Sequence, residues 1–156
     1  MDNRIGAIKS ALQGAGRTDV ALMSYAAKYA SALYGPFRSA CATSLKGNRA
    51  NYQLPPASEG LGQRAILRDT AEGADVIMVK PGIAYLDIVR MAREICATPI
   101  AVYQVSGEYA MLKAAADSGV INEKDTVLEM MTCFRRAGAD IIISYYTPKL
   151  LDWLAP

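Results

Sequence analysis

Four short apolar runs recur along the chain, and none of them alternates regularly between polar and apolar residues. Three of the runs are rich in β-branched residues, and continuous apolar runs of this kind are typical of strands that are buried on both faces of a parallel sheet. We therefore predict four parallel β-strands, at Val20–Tyr25, Asp75–Val79, Ile100–Val105 and Asp140–Tyr145.

Two stretches between these runs, Tyr85–Cys96 and Asn122–Ala137, have the periodicity of amphipathic helices. Their apolar faces consist of Ile88, Met91 and Ile95 in the first helix and of Val127, Met131 and Phe134 in the second. Asn122 is the predicted N-cap of the second helix, because its side chain can accept a backbone N–H there. Gly73 and Gly138 stand where helix C-caps are expected.

An internal repeat supports this alternation of helices and strands. The segment Glu72–Val79 recurs as Ala137–Ser144, and both copies have the pattern of a helix end, a tight turn and a strand start. Alternating units of this kind form an α/β fold with a parallel sheet. Two architectures remain open at this point, a doubly wound sheet and part of a (β/α) barrel.

The range 34–60 interrupts the alternation. It contains several Gly and Pro turn signals and only a weak helical pattern. A connection of this length in a compact domain is usually functional, often as a lid. The range also carries Arg38, Lys46 and Arg49, which are either ordinary solvated charges or ligands for an acidic group.

Composition narrows the class of protein. The 156 residues are 52% hydrophobic and 21% charged, as in ordinary globular domains. The 17 basic and 15 acidic residues give a net charge of +2 without forming a basic stripe, so we expect no nucleic-acid partner. The apolar runs are far shorter than the roughly 20 residues that cross a bilayer, so we expect no membrane span.

The cysteines indicate a cytoplasmic protein with reduced thiols, because Cys41, Cys96 and Cys133 are odd in number and far apart. Asp2 and Arg4 precede an amphipathic stretch, so we expect no signal peptide. The chain has no histidine, which excludes a His-based catalytic triad and a local Cys/His zinc motif.

Lysines stand at the ends of two predicted strands, Lys28 after the first and Lys80 after the second. In (β/α) barrels, residues at the carboxyl ends of different strands converge on one catalytic site. An ammonium group that follows a buried apolar run is costly to desolvate, and a second lysine nearby lowers its pKa further. The neutral amine would attack carbonyls, although each side chain alone could also extend to water.

The other two strands end in the hydroxyl-bearing segments Tyr103–Glu108 and Ser144–Pro148. Their hydroxyls could bind carboxylates or relay protons, but Ser and Tyr are also common turn residues. The residues by themselves therefore predict an enzyme that condenses carbonyls on lysine and binds a small acid. They leave the reaction open, and a Schiff-base aldolase is one alternative.

Seven segments, in order and at matching spacing, resemble the porphobilinogen synthase family: Met23–Ser31, Tyr34–Arg38, Tyr52–Pro56, Met78–Gly82, Ala84–Arg90, Val102–Met111 and Arg135–Asp140. The resemblance implies a (β/α) TIM barrel of eight strands. Residues 1–156 would supply its C-terminal half, about the last four β/α units, with an active-site lid at about 34–60. We expect a fragment or truncated product of such an enzyme.

The resemblance also implies a lyase reaction of tetrapyrrole (haem) biosynthesis. The family condenses two molecules of 5-aminolevulinate into porphobilinogen with loss of two waters. Lys80 would form a Schiff base with the first substrate, which supplies the propionate side of the product, and Lys28 would bind the carbonyl of the second. Tyr103 would pack beside the reacting centre.

Five further residues are implied ligands of the substrate carboxylates. Arg38, Arg49 and Gln53 would hold the carboxylate of the second substrate, a role that suits bidentate guanidinium hydrogen bonds. Ser106 and Tyr145 would hold the carboxylate of the first.

The family resemblance sets the expected cofactors and partners as well. Zinc or magnesium is expected for the complete enzyme, but its ligands lie in the other half of the barrel, so we expect no metal and no other cofactor in this chain. Ala65 stands where some bacterial relatives have a magnesium-binding glutamate. The complete enzyme would be a homo-oligomer of the octamer type. The alternative is an inactive half barrel that acts only in assembly, because unpaired sheet edges invite association.

Overall fold

The sheet of the computed structural model, which describes residues 3–40 and 49–155, contains four parallel strands in chain order. They are β1 (Met23–Lys28), β2 (Val76–Lys80), β3 (Ile100–Gln104) and β4 (Ile141–Ser144). All three neighbouring pairs are parallel, so helical crossovers return the chain between strands. The α/β prediction is confirmed, and the arrangement is consistent with consecutive units of a (β/α) barrel.

Helices flank and connect these strands. The α-helices in the described residues are α1 (Arg4–Gly14), α2 (Gly35–Ala40), α3 (Glu59–Ala71), α4 (Leu86–Ile95), α5 (Ser106–Asp117), α6 (Glu123–Ala137) and α7 (Thr147–Leu154). Short 3₁₀ turns cover Ala32–Tyr34, Arg49–Tyr52 and Ile83–Tyr85. The two helices predicted from periodicity, now α4 and α6, are confirmed within one residue at each end.

The predicted helix ends are also confirmed. The Asn122 side chain accepts the Asp125 N–H at 3.1 Å and so caps α6. Gly138 ends α6 with φ at +120°, and Gly73 follows α3 with φ at +96°. These left-handed conformations favour glycine, which explains why both copies of the internal repeat carry it at the turn.

The main core lies between the sheet and the helices. Residues that alternate along the strands, such as Ile77 and Val79 in β2, pack there against Ile66 of α3, Val89 of α4 and Phe134 of α6. All five are at most 1% exposed. The helices therefore cover one face of the sheet, and the intervening strand residues point to the opposite face.

That opposite face is partly uncovered in the described part of the chain. Met23 and Tyr25 of β1 are 36% and 47% exposed, and Ile141 of β4 is 38% exposed. β1 pairs with β2 and β4 pairs with β3, so among the described residues the outer edges of β1 and β4 have no strand neighbour. The four strands thus form an open, half-covered sheet.

The position predicted for the first strand, Val20–Tyr25, is wrong by three residues, because β1 covers Met23–Lys28. Its pairing with β2 continues past a register shift between Ser24 and Ala27. Alanine has a low strand propensity, so the apolar pattern gave no signal here. The fully buried Ala27 belongs to the core that contains Ile66 of α3, which holds this part of the strand.

The predicted lid range 34–60 includes α2 and the 3₁₀ turn Arg49–Tyr52. Residues 41–48 lie outside the described residues, and with them Cys41 and Lys46. An isolated bridge between Tyr29 and Leu54 joins this range to the residue that follows β1. A lid function stays a prediction.

Within the described residues, no helix has the length and apolar character needed to span a membrane.

Candidate functional site

Lys28 and Lys80 lie side by side at the carboxyl edge of the sheet. Their Cα atoms are partners in the pairing of β1 with β2, and both residues are half-buried. The carboxyl ends of parallel strands meet at one edge, which is where (β/α) folds place their chemistry. The structure therefore brings together the two lysines that the sequence singles out.

The pKa values of both amines lie below the ordinary lysine value. The pKa of Lys80 is lowered to about 8, mainly by burial and to a smaller extent by the charge of Lys28. Burial also lowers the pKa of Lys28, and the charge of Arg49 contributes. Desolvation and like-charge repulsion both favour the neutral amine, which is the form that attacks a carbonyl carbon.

Aromatic rings surround the Lys80 amine. Its Nζ lies 3.7 Å from the centre of the Tyr103 ring, 5.4 Å from that of Tyr25 and 5.8 Å from that of Tyr34. The Lys28 Nζ lies 5.6 Å from the Tyr25 ring centre. Ring faces attract cations, so they partly offset the desolvation of the ammonium and orient the amine.

All eight residues that the sequence singles out line one pocket. It encloses about 430 Å³, part of which is open to solvent, a size typical of sites for small ligands. Its lining consists of Lys28, Tyr34, Phe37, Arg38, Arg49, Gln53, Lys80, Tyr103, Val105, Ser106 and Tyr145. The structure therefore supports the predicted grouping of these residues, while their individual roles stay predictions.

The pocket residues from the 34–60 range bring cationic and amide groups to the amines. Arg38 lies in α2, where its Nη2 donates to the Ser31 carbonyl at 3.4 Å. Arg49 begins a 3₁₀ turn, and its charge acts on Lys28. The buried Oε1 of Gln53 has no hydrogen-bond partner among the described residues. Two guanidinium groups beside amines favour an anionic ligand such as a carboxylate.

The hydroxyl groups come from the segments after β3 and β4. The Oγ of Ser106, the first residue of α5, accepts the Phe37 N–H at 3.1 Å. Tyr145 is 44% exposed, and its ring lies 6.4 Å from that of Tyr103. Burial raises the pKa of Tyr103, and Tyr145 adds to the increase. The Tyr103 phenol is therefore protonated at neutral pH and can donate a hydrogen bond.

The sequence prediction missed three lining residues, Tyr34, Phe37 and Val105. The Tyr34 hydroxyl donates to the backbone carbonyl of Lys80 at 3.4 Å, and burial raises its pKa. Tyr34 and Phe37 belong to the Tyr34–Arg38 segment of the family resemblance, which was an available signal. Val105 lies in the Val102–Met111 segment of the same resemblance, but an apolar residue at a strand end is indistinguishable in sequence from core.

The described residues provide no group of three or more His, Cys, Asp and Glu side chains that could hold a metal. Cys96 instead contacts the Ala92 carbonyl with its sulfur at 3.1 Å. Cys133 accepts from Arg136 at 3.3 Å. The described residues therefore do not fit a metal site.

Comparison with known proteins gives a consistent result. Residues 1–153 match the model of the family described as "ALAD: Delta-aminolevulinic acid dehydratase". The chain is 57% identical over 157 residues to the delta-aminolevulinic acid dehydratase of Macaca fascicularis, covering 99% of this chain and 48% of that protein. It is 52% identical over 150 residues to the Rhodobacter capsulatus enzyme of the same name, covering 95% and 45%.

A solved structure shares the fold. It is the crystal structure of delta-aminolevulinic acid dehydratase (porphobilinogen synthase) from Toxoplasma gondii ME49 in complex with the reaction product porphobilinogen. The TM-score is 0.93 at 46% identity, over 98% of this chain and 44% of that one. The chain thus spans about half the length of the relatives that it matches.

Proposed function

The chain belongs to the delta-aminolevulinic acid dehydratase family, and from this premise we propose that it carries the lysine-bearing half of a porphobilinogen synthase. Such an enzyme condenses two molecules of 5-aminolevulinate into porphobilinogen and releases two waters in haem biosynthesis. The observation that carries the proposal is the pair of adjacent amines, Lys28 and Lys80, in a pocket with two guanidinium groups.

The proposed chemistry starts at Lys80. Its neutral amine attacks the ketone carbon of the first 5-aminolevulinate, and loss of one water leaves a Schiff base. The low pKa of Lys80 supplies the neutral amine near neutral pH, and the Tyr103 ring keeps the nitrogen in position. Lys28 engages the ketone of the second substrate in the same way.

The carboxylates of the two substrates are held by different parts of the pocket. Arg38, Arg49 and Gln53 bind the second substrate, since guanidinium groups form paired hydrogen bonds with carboxylates. Ser106 and Tyr145 bind the first with their hydroxyls. Holding both molecules by their acid groups fixes the distance between the two reacting carbons, which removes much of the entropic cost of a bimolecular step.

Several properties belong to the whole protein and are proposed with it. We infer a zinc or magnesium requirement, a homo-oligomeric assembly and a cytoplasmic location. A Schiff-base aldolase is not favoured, because the family match covers residues 1–153. A half barrel with a purely structural role is not favoured either, because the predicted substrate residues line one pocket.

Reductive trapping tests the proposal. The protein is incubated with 5-aminolevulinate and sodium cyanoborohydride, and peptide mass spectrometry locates the adduct. We expect modification of Lys80 before that of the exposed Lys124, and none at position 80 in Lys80→Met. The Lys124→Met variant is the matched control and should be trapped like the wild type.

Two outcomes contradict the proposal. One is folded protein in which Lys80 and Lys124 react at equal rates with 5-aminolevulinate. The other is aldol cleavage without porphobilinogen formation when this half is supplied within the complete protein, which would favour the aldolase instead.

A further inference from the structure

Glu108 is a fully buried carboxylate in the first turn of α5, with 0% of its surface exposed. Its side chain has no cationic partner among its hydrogen bonds in the described residues and accepts backbone N–H groups instead. Oε1 accepts from Ile83 at 2.5 Å and from Gly82 at 3.1 Å. Oε2 accepts from Val105 at 2.6 Å. A buried carboxylate is costly unless it is hydrogen-bonded. These backbone N–H groups offset that cost, because hydrogen bonds to an ionised acceptor are strong.

The donors come from the two loops that carry pocket residues. Gly82 and Ile83 lie two and three residues after Lys80, which ends β2, and Val105 follows the last residue of β3 and precedes Ser106. One carboxylate therefore joins the backbone that follows β2 to the backbone that follows β3. The bond from the Val105 N–H also caps the start of α5, although the valine side chain has no acceptor with which to complete a capping box. A helix cap alone does not require the bonds to Gly82 and Ile83.

We propose that Glu108 is a positioning residue, whose carboxylate fixes the loop after β2 so that the Lys80 amine faces the substrate carbonyl. The proposal rests on the proposed function, since it assigns Lys80 as the Schiff-base residue. Glu108 acts through the backbone and does not line the pocket.

The shape of the donor set specifies a carboxylate at this position. Both oxygens accept short bonds, so neither is free to act as a hydroxyl donor, and the ionised form fits this geometry. Burial raises the pKa of Glu108, and the N–H groups of Val105, Ile83 and Gly82 oppose that increase. A glutamine has the same size, but its NH₂ group would face a backbone N–H on one side and lose that contact.

The test separates Lys80 from Lys28 in the same molecule. Glu108→Gln is compared with wild type in reductive methylation by formaldehyde and in trapping with 5-aminolevulinate, and both amines are quantified by mass spectrometry. Because a displacement of about 1 Å can cost on the order of a hundredfold in a positioned reaction, we expect trapping at Lys80 to slow about tenfold or more. Lys28 lies on β1, and in the described residues the hydrogen bonds of Glu108 go to the backbone after β2 and β3 instead, so the Lys28 trapping rate should change less than about twofold.

The matched control is Glu123→Gln, the same substitution in a glutamate that pairs with Lys113 and Lys149 away from the pocket. It should leave the ratio of Lys80 to Lys28 trapping unchanged. Glu108→Asp keeps the charge but shortens the side chain, so it should recover part of the Lys80 rate if it still reaches Val105.

Each outcome decides the question. A Lys80 to Lys28 ratio in Glu108→Gln within twofold of wild type overturns the proposal, and so does an equal loss at both lysines, which would indicate general loosening. If Glu108→Gln does not fold, hydrogen exchange in the wild type decides, because fast exchange of the Gly82 and Ile83 amides would overturn the proposal. A wild type that is methylated at Lys80 but not trapped by 5-aminolevulinate contradicts the proposed function instead.

Discussion

The amine of Lys80 lies 3.7 Å from the centre of the Tyr103 ring, with the two residues on adjacent strands. The ring face favours the ammonium form, whereas burial and the charge of Lys28 favour the neutral amine and bring the pKa to about 8. At pH 7 about a tenth of such a lysine is neutral, compared with less than about a thousandth of an ordinary lysine.

Replacing Tyr103 by leucine should lower the pKa of Lys80 further. The substitution keeps the amine buried but removes the ring face, which contributes about 0.5–1 kcal/mol to the ammonium and corresponds to roughly half a pKa unit. Tyr103→Phe keeps the ring and is the control. The measurement is the pH dependence of reductive methylation at Lys80, and a higher pKa in Tyr103→Leu would contradict the expectation.

Removing the charge of Lys28 should have the opposite effect on Lys80. In Lys28→Met the like-charge repulsion is absent, so the pKa of Lys80 should rise toward its ordinary value. Less neutral amine is then present at pH 7, and methylation of Lys80 should slow about twofold to fivefold. Lys28→Arg keeps the positive charge and should behave like the wild type. Identical rates in both variants would show that the two amines are not coupled.

Lys80→Met should stabilise the fold at neutral pH while it abolishes trapping at this position. The folded-state pKa of about 8 lies below the ordinary 10.5, so the unfolded state binds more protons between these values. The destabilisation of the fold by the buried Lys80 ammonium is therefore full below about pH 8 and disappears as the pH rises toward 10.5.

After allowance for solvent screening of a half-exposed group, the free energy of unfolding should increase by about 1–2 kcal/mol at pH 7. Urea denaturation of variant and wild type at pH 7 and pH 10.5 measures the difference. Lys113→Met, which removes a partly exposed lysine paired with Asp117 and Glu123, should give no such gain. A gain that grows with pH would refute the assigned direction of the pKa shift.

Gly107→Ala should destabilise the protein, because a Cβ there would lie 2.3 Å from the Leu33 carbonyl oxygen, which is backbone. We expect a loss of about 1–3 kcal/mol in the free energy of unfolding, as for other overpacked positions. Gly60→Ala is the matched control, since Gly60 is likewise the second residue of a helix but has no atom within 4 Å of its Cβ position. It should gain up to about 1 kcal/mol. Equal effects in thermal unfolding would show that the contact with Leu33 is not tight.

Ser106→Ala should loosen α2. The substitution removes the acceptor of the Phe37 N–H, so trypsin should cleave after the neighbouring Arg38 about twofold to tenfold faster. In the control, Ser39→Ala, the lost hydroxyl bonds to the Gly35 carbonyl within the same helix. Equal digestion of both variants would mean that the bond to Ser106 does not hold this helix.

Sequence by itself determined the fold class and the main chemical groups. Apolar runs without alternation indicated the strands of a parallel sheet, and the glycines of the repeat mark turns that need a positive φ, as Gly73 and Gly138 show. Both signals are local, because they depend on conformations of a few consecutive residues. The lysines at strand ends were also visible in sequence, and the family resemblance supplied the substrate and the six residues around them.

Only the tertiary structure decided which groups meet and what sets their properties. The pairing of Lys28 with Lys80, the approach of Tyr103 to the amine and the bonds from Glu108 to two loops all join residues that are far apart in the chain. The pairing of β1 with β2 continues to Lys28 through a register shift, which depends on how β1 packs in the core and is not visible in the hydrophobic pattern. Burial and neighbouring charge shift a pKa through space, so the reactive state of Lys80 follows from the fold and not from its place in the sequence.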